Sequence, residues 1–415
     1  MEKEQRTRAL AAGAIGNLLE WYDFAVYGYF ANQIGRIFFP KEEPVAQILA
    51  AFGIFAVGYF MRPLGGAFLG YIGDKFGRRA ALNISIVAMA LPTFLIGILP
   101  GYSEIGIIAP LLLTLLRMIQ GLSVGGEYTT SMVFMIEHAH QGRRGLAGGL
   151  ACAGCVAGIL FGSGTAAILA ALMSPETLAV WGWRLPFLFG LIIGLTGFII
   201  RRHIPETDVK KGDQSPIVEV LRKHLGLILH LSAFAAFNAV GFYIVFVYLV
   251  SWLQFVDGVT PAKALELNSF TMIILFVTVI AIGALSDKVG RKPILFLSTG
   301  IGFLTAYPFF WLLHHTNTFF ALVGEIGLAI TVGCFIGVQP VTMVESVPKY
   351  IRCIALALGY NLTIGIIGGC TPMVATWLVH RTQNDLSPSF LIMIAAALSF
   401  GATYYLKLES VDEKG

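Results

Sequence analysis

Two similar ten-residue stretches, GYIGDKFGRR at 70–79 and GALSDKVGRK at 283–292, decide the fold of this chain. Both fit the pattern G-x-x-x-D-K-x-G-R-[RK], and they stand 213 residues apart in a chain of 415 residues. A repeat at about half the chain length predicts two halves of the same design. Each stretch is polar and lies between long apolar segments, so both are expected to be short loops between helices.

The segments around these loops are apolar enough to lie in lipid. Hydrophobic residues make up 56% of the chain and charged residues only 13%, whereas soluble domains carry roughly 25% charged residues. A bilayer core requires about 20 apolar residues per helix. On that measure the sequence predicts twelve spans, at 10–31, 47–70, 80–100, 107–137, 146–173, 183–200, 225–252, 265–286, 293–313, 319–347, 353–379 and 389–406.

The basic residues predict which side of the membrane each loop faces. Of the 28 lysines and arginines, 21 lie at the termini or in loops on the same side, and four lie in the opposite loops. Basic residues are retained on the cytoplasmic side, so both termini are expected in the cytoplasm, beneath a cell inner membrane. The polar stretch 201–224 is the expected cytoplasmic linker between a bundle at 1–200 and a bundle at 225–415.

The duplicated loop resembles the signature loop between helices 2 and 3 of the major facilitator superfamily. A finer resemblance is to its metabolite:proton symporter branch, which includes transporters of proline and betaine, 2-oxoglutarate, citrate and shikimate. It rests on GNLLEWYDFAVYGYFA (16–31), RMIQGLSVGGEYTTSMVFMIEH (117–138), WGWRLPF (181–187) and GYNLTIGIIGGCTPMVATWL (359–378). The resemblance implies an all-α integral membrane fold with two pseudo-symmetric bundles of six helices. The long C-terminal coiled coil of the osmosensing members does not follow Leu406, so osmosensing is not expected.

Ionisable residues inside the spans mark the candidate site, because each costs about 2.5–3.5 kcal/mol at a helix centre on insertion scales. The first span carries polar residues at spacings of three and four, which place them on one face: Asn17, Glu20, Asp23 and Tyr27. The fourth span carries Arg117, Gln120 and Glu127 in a similar stripe. We expect the two stripes to face each other across the cavity of the first half, with Arg117 near Glu20 or Asp23.

The resemblance implies roles for these groups. Glu20, Asp23 and Glu127 are the proton-coupling candidates, and Arg117 is the candidate for a substrate carboxylate. Asn17, Tyr27 and Gln120 are further substrate-binding candidates. The alternative is a structural ion pair that holds the first and fourth helices together, since structural networks also bury charged groups.

The second half offers mainly neutral hydrogen-bonding groups. Its substrate-binding candidates are Asn238, Tyr243, Gln339, Tyr360 and Asn361. Tyr360 and Asn361 interrupt an otherwise apolar eleventh span, although polar contacts between membrane helices are also common. Glu325 lies in the tenth span, and no role is predicted for it.

The two signature loops are predicted to form a cytoplasmic gate between the halves. Their aspartates lie close to arginines at the helix ends, where acid–base pairs could hold the halves together. The gate candidates are Gly70, Asp74, Gly77, Arg78 and Arg79 in the first loop and Gly283, Asp287, Gly290 and Arg291 in the second. The simpler alternative is that the basic residues only set the membrane orientation.

The function predicted from these features is proton-coupled symport of a small polar metabolite, such as an organic acid or a proline-like or betaine-like zwitterion, by alternating access. A proton-coupled exporter is the alternative within transport. A membrane enzyme is not favoured, because the eight histidines are scattered and form no metal-binding motif within a span. A channel would not explain the duplicated loops. Protons, a small solute and the lipid bilayer are the expected partners. No cofactor, metal or nucleic acid is expected, and a monomer is sufficient.

Overall fold

The computed structural model describes residues 17–406, apart from positions 19, 24, 41–43, 77, 126, 138, 141, 202–221, 316–317 and 349–350. Within the described ranges the chain forms helices and loops and no strand. The expected linker at 201–224 lies almost entirely outside the described residues. The long helical segments of the described chain number twelve and are labelled α1 to α12, as the spans predict.

The first half contains α1 to α6. Helix α1 comprises the described helical residues between 17 and 29, followed by Ala31–Phe38. The others are α2 (Pro44–Phe60 and Arg62–Phe76), α3 (Arg78–Ile98), α4 (Ile108–Val124 and Glu127–Glu137), α5 (Arg144–Leu172) and α6 (Leu185–Arg201). Short helices at Tyr102–Ile105, Pro175–Val180 and Gly182–Arg184 lie in the loops.

The second half contains α7 to α12. Two of its helices include a π-helical turn. Its members are α7 (Leu225–Tyr243, the π turn Ile244–Tyr248, and Leu249–Phe255), α8 (Pro261–Val289), α9 (Arg291–Leu313), α10 (Thr318–Glu345), α11 (Arg352–Leu362, the π turn Thr363–Gly368, and Gly369–Thr382) and α12 (Pro388–Tyr405).

The apolar composition of these helices suits a bilayer. Eight of them are long and apolar enough to cross a membrane, and three shorter apolar helices lie within α3, α4 and α6. Helix ends depart from the predicted spans by a few residues for local reasons. For example, α8 begins at Pro261, earlier than predicted, because the Thr260 hydroxyl accepts a hydrogen bond from the Lys263 N–H and proline suits the first helical position.

Glycines bring α2 and α4 into direct backbone contact. A Cβ atom on Gly121 would overlap the Gly58 carbonyl oxygen, and one on Gly125 would overlap the Arg62 carbonyl oxygen. Only glycine therefore fits at these crossing points. The close approach fixes the rotation of α2 and directs Arg62 into the protein interior, where it is 1% exposed.

The two halves pack through α5 and α8 along a second small-residue contact. A Cβ atom on Gly149 would lie 2.5 Å from the Val279 carbonyl oxygen, and one on Gly283 would lie 2.7 Å from the Gly145 carbonyl oxygen. Gly283 belongs to the second signature stretch, which was expected to be a loop, but it lies within α8 and allows this close helix contact. Gly290 has a φ of 94°, in the region that favours glycine, and makes the tight turn between α8 and α9.

Candidate functional site

Glu20 forms a buried ion pair, with Arg62 as its partner. The Arg62 Nη2 atom donates to Glu20 Oε1 at 3.0 Å, and the two side chains are 1% and 5% exposed. Arg117 forms no direct ion pair with Glu20 or Asp23, all three of which are described. The glycine contact between α2 and α4 places a nearer cation, Arg62, beside Glu20, and the expected position of Arg117 near Asp23 is reached through intervening side chains.

Asp23 is instead connected to Arg117 through two neutral side chains. The Thr93 hydroxyl donates to Asp23 Oδ2 at 2.7 Å. Gln120 Nε2 donates to Thr93 Oγ1 at 2.7 Å, and Arg117 Nη1 donates to Gln120 Oε1 at 2.9 Å. This Asp23–Thr93–Gln120–Arg117 chain, called the relay below, joins α1, α3 and α4. The two polar stripes therefore face each other as predicted, with Thr93 between them.

The guanidinium of Arg117 lies on aromatic rings. Its Cζ is 4.2 Å from the centre of the Tyr27 ring and 5.5 Å from that of Phe55. The Tyr27 hydroxyl donates to the Ala51 carbonyl oxygen at 3.0 Å, which holds the ring in place. The Cζ atom of Arg62 likewise lies over an aromatic ring, 5.2 Å from the centre of the Tyr59 ring. Cations are attracted to ring faces at these separations, more strongly when desolvated.

A small cavity separates the two carboxylates from α3, α4 and α6. Its volume is about 30 Å³, and its lining includes Glu20, Asp23, Ser85, Ser123 and Gly190. That volume is on the order of one water molecule. The cavity is polar where the carboxylates and hydroxyls meet it.

Asn361 carries the contact from the second half to the Glu20–Arg62 pair. Its Oδ1 atom accepts from Arg62 Nε at 3.3 Å, and its Nδ2 atom donates to the Gly125 carbonyl oxygen at 2.5 Å. The adjacent Tyr360 packs its ring against that of Tyr128, with the centres 5.1 Å apart. The structure thus brings Tyr360 and Asn361 to the interface between the halves, and their substrate-binding role stays a prediction.

The other candidates of the second half lie nearby but bond differently. Asn238 Nδ2 donates to Gln339 Oε1, so these two side chains pair within their own half. The Tyr243 ring lies edge-on to Tyr59 of α2, with centres 5.3 Å apart. Tyr243 therefore belongs to the aromatic group that surrounds the buried arginines.

Two candidates of the first half give less information. Asn17 is buried on α1. Glu127 begins the second segment of α4, but its side chain lies outside the described residues. Its predicted proton-coupling role stays a prediction.

The end of the bundle that carries the second signature loop, called the signature end, joins the halves by charged contacts. Asp287 Oδ1 and Oδ2 accept from the Gly145 and Leu146 N–H groups at 2.7 and 3.0 Å, so this carboxylate caps the start of α5. Arg291 Nη1 lies 2.9 Å from Asp287. Capping by a carboxylate stabilises both the exposed N–H groups and the helix dipole.

Two further groups at the signature end complete these contacts. Arg291 Nη2 lies 3.1 Å from Glu345 of α10. Arg352 of α11 pairs with Glu137 of α4 across the two halves. Asp287 therefore lies at a contact between the halves, with Arg291 paired to it within the second half, and the gate role of both residues stays a prediction. Of the first loop, Gly77 lies outside the described residues, and nothing is described of the side chains of Asp74, Arg78 and Arg79 or of the surroundings of Gly70.

The opposite end, called the far end, is closed by neutral groups. Asn32 of α1 donates to Gln254 of α7 at 3.1 Å. The Ser163 hydroxyl of α5 lies 2.8 Å from the Ser269 hydroxyl of α8. The Asn268 side chain of α8 donates to the same Ser163 hydroxyl at 2.9 Å. Contacts at both ends leave the buried arginines and carboxylates enclosed between the halves.

Sequence reasoning missed three residues of this site. Arg62 belongs to no polar stripe, although its position as a basic residue among the small residues of α2 was a usable signal. Thr93 follows Pro92 inside an apolar helix and gave no pattern of its own. Arg352 gave no local signal, because its partner Glu137 lies 215 residues away in the sequence.

Comparison with known proteins supplies the identity. A family model described as the Major Facilitator Superfamily matches residues 14–371. The chain belongs to the major facilitator superfamily. This membership confirms the predicted fold of two six-helix bundles and makes the chain a multi-pass membrane protein.

Relatives of this superfamily member carry transporter names. This chain is 34% identical over 416 residues to the glycine betaine/proline/ectoine/pipecolic acid transporter OusA of Dickeya dadantii. The alignment covers 96% of this chain and 83% of OusA. The chain is 33% identical over 407 residues to the proline/betaine transporter of Escherichia coli, covering 94% of this chain and 81% of that transporter. The prediction of a transport protein rather than an enzyme is confirmed.

A solved structure of the proton:xylose symporter XylE has the same fold. It superposes with a TM-score of 0.77 at 19% sequence identity, covering 98% of this chain and 96% of XylE. At 19% identity this likeness supports the fold of the chain and carries no information on its substrate.

Proposed function

We propose that this superfamily member imports a small zwitterion of the proline or betaine type together with protons, by alternating access. The single observation that carries this proposal is the enclosed site between the halves. There, two arginines and two carboxylates lie buried beside the rings of Tyr27, Phe55 and Tyr59. The names of the relatives, proline and betaine transporters, supply the substrate class.

The site suits both charges of a zwitterion. The carboxylate of the substrate would replace Gln120 as the acceptor of Arg117. An arginine recognises a carboxylate through two parallel N–H donors. The ammonium group would take the place of a guanidinium on the aromatic rings, since tyrosine and phenylalanine faces attract quaternary ammonium groups. Asn17, Asn238, Tyr243, Gln339, Tyr360 and Asn361 are proposed as neutral contacts.

Coupling to protons would run through the relay. A substrate carboxylate beside Arg117 would neutralise the cation that favours an ionised Asp23, and so would favour proton binding at Asp23. Protonated Asp23 is a weaker acceptor for Thr93, so the relay would loosen as both ligands bind. Glu20, held by Arg62, would respond to movement of Asn361 and thereby to movement of the second half. Glu127 remains a further proton-binding candidate.

Alternating access would use the two ends in turn. The proposed orientation places the signature end and both termini in the cytoplasm, with a bundle at 1–200, a linker at 201–224 and a bundle at 225–415, in a cell inner membrane. Gly70, Asp74, Gly77, Arg78, Arg79, Gly283, Asp287, Gly290 and Arg291 would form the cytoplasmic gate. A monomer is sufficient for this mechanism.

The test uses purified protein in liposomes that enclose a pH-sensitive dye. Proline, glycine betaine, 2-oxoglutarate, citrate and shikimate are added singly outside, without an imposed gradient. We expect proline or glycine betaine to acidify the interior, and the variants Glu20→Gln and Asp23→Asn to abolish the signal. Glu266→Gln is the matched control, because Glu266 is exposed at the far end and pairs with Lys263 at 3.2 Å. It should acidify as the unmodified protein does.

Three other outcomes would contradict the proposal. Alkalinisation of the interior would indicate exchange of substrate against protons, which is the exporter alternative. Uptake of radiolabelled substrate without any proton movement would make the carboxylates of α1 structural. Acidification by an organic acid and not by a zwitterion would keep symport but overturn the substrate class.

A further inference from the structure

Glu325 of α10 is a buried carboxyl group outside the site described above. It is 1% exposed and lies seven residues from the start of α10 at the far end. The Thr271 hydroxyl of α8 lies 3.1 Å from Glu325 Oε1, within donating distance. Within the described chain its other oxygen, Oε2, has no hydrogen-bond partner.

No described cation compensates this carboxyl group. The titratable side chains near the outer parts of the helices packed against α10 are Lys263 and Glu266 of α8, Tyr307 of α9, His314 and His315 after α9, and Tyr248 of α7. Lys263 pairs with Glu266, and His314 pairs with Asp257. Helix α5 carries no titratable side chain in its outer part.

An ionised carboxylate in such a place is strongly disfavoured. Ionised groups removed from water are retained only when they are paired or fully hydrogen-bonded. One hydroxyl donor does not meet that requirement, so the neutral acid is the form that fits the closed arrangement of the far end.

The Thr271 side chain connects Glu325 to the Asn268–Ser163 contact that closes the far end. The Thr271 hydroxyl also lies 3.0 Å from the Asn268 carbonyl oxygen. The Asn268 side chain donates to Ser163 of α5, in the other half, at 2.9 Å. A change of charge at Glu325 therefore acts on the turn of α8 that holds the two halves together.

We propose that Glu325 is a second proton-binding site, in the second half, whose occupancy by a proton is required for closure of the far end. When the far end opens, water reaches the carboxyl group and the proton leaves. When a proton binds, the Thr271–Asn268 turn can close on Ser163. This inference adds one proton site to the proton-coupled transport proposed above.

The test measures opening of the far end without any substrate. Spin labels are placed at Ser103 and Arg381, which are exposed at the far end of opposite halves, in a chain whose five cysteines are replaced by alanine. Distance distributions are recorded by pulsed electron paramagnetic resonance as a function of pH, in an Asp23→Asn background that removes one proton site. We expect the ratio of open to closed far ends to rise with pH, by up to tenfold per pH unit for one proton.

The decisive variant is Glu325→Gln, which has the shape of the neutral acid. Its far end should stay closed at every pH, and the carboxylic acid C=O band of Glu325 should be missing from its infrared spectrum. Glu266→Gln is the matched control and should keep the pH dependence. If Glu325→Gln does not fold, Glu325→Asp serves in its place: its acid band should move in frequency while the pH dependence is retained.

Two results would overturn the proposal. One is an unchanged pH dependence of the distances in Glu325→Gln. The other is an infrared spectrum that loses no carboxylic acid band in that variant. Because no substrate is used, neither result depends on the substrate-driven acidification that tests the proposed function.

Discussion

The two halves of the molecule share a fold but differ in what they bury. The first half encloses Glu20, Arg62, Asp23 and Arg117 in linked contacts across α1, α2, α3 and α4. The second half presents neutral amides toward the same region, with Asn361 as the direct contact to Arg62. The buried charges of this site are therefore concentrated in the first half. The second half contacts them through the side-chain amide of Asn361, which bonds to Arg62.

The largest expected effect comes from breaking the ion pair of the first half. Arg62→Ala should lower the free energy of unfolding by about 3–5 kcal/mol, because the buried Glu20 carboxylate loses its ion pair with Arg62. Thermal unfolding in detergent measures the loss. Adding Glu20→Gln to Arg62→Ala should recover part of the stability, since the uncompensated charge is then removed. A double variant no more stable than Arg62→Ala would show that the pair is not what holds the charge in place.

A smaller effect is expected at the signature end, where both halves contribute. Asp287→Asn should destabilise the closed signature end by about 1.5–3 kcal/mol, because the two N–H groups of α5 lose a charged acceptor. The accessibility of a cysteine placed at Leu146 to a water-soluble thiol reagent measures opening. Lys288→Gln, a neighbouring charge change, is the control and should leave the labelling rate unchanged. Equal labelling rates in Asp287→Asn and Lys288→Gln would show that Asp287 does not take part in the gate.

The relay tests whether Asp23 and Arg117 act together. Thr93→Val removes the hydroxyl between them. The loss leaves the hydrogen-bonding groups of Asp23 and Gln120 unsatisfied, which costs about 1–3 kcal/mol of free energy. Initial uptake of radiolabelled proline should fall roughly tenfold, since about 1.4 kcal/mol is a factor of ten. Thr114→Val is the matched control, because the Thr114 hydroxyl donates to the Pro110 carbonyl oxygen of its own helix at 2.7 Å. If both variants transport alike, coupling does not pass through Thr93.

The smallest effect on stability is expected in the second half. Replacing both members of the Asn238–Gln339 pair by leucine should change the free energy of unfolding by about 1 kcal/mol or less, because no partner is left unsatisfied. Uptake should nevertheless fall if these amides contact the substrate. The stability is read from thermal unfolding and the uptake from the labelled substrate. Unchanged uptake would assign the pair to helix packing alone.

The sequence was sufficient to predict the twelve helices and their pairing into halves. Hydropathy and the duplicated loop are local and periodic signals, and a bilayer allows few other arrangements. The carboxylates of α1 and Arg117 were also predictable as buried groups, because ionisable residues in a span are rare and stand out.

Contacts between distant helices could not be predicted in the same way. Glu20 and Asp23 share one face of α1, yet one pairs with Arg62 and the other with Thr93. Which partner each finds depends on the rotation of α2 and α3, and the backbone contacts at Gly58 and Gly121 set the rotation of α2. No spacing along the chain contains that information, so the partner of each carboxylate could not be predicted.

The π turns in α7 and α11 have a consequence for hydrogen–deuterium exchange. At Ile244–Tyr248 and Thr363–Gly368 the backbone takes one more residue per hydrogen-bonded ring than in the rest of each helix, with weaker geometry. We expect such turns to open before the regular helix around them. Both face the first half: Val247 meets Gly28 and Gly365 meets the Tyr59 carbonyl oxygen. The amides of these two turns should therefore exchange ahead of their flanking helices, which makes them built-in reporters of motion between the halves.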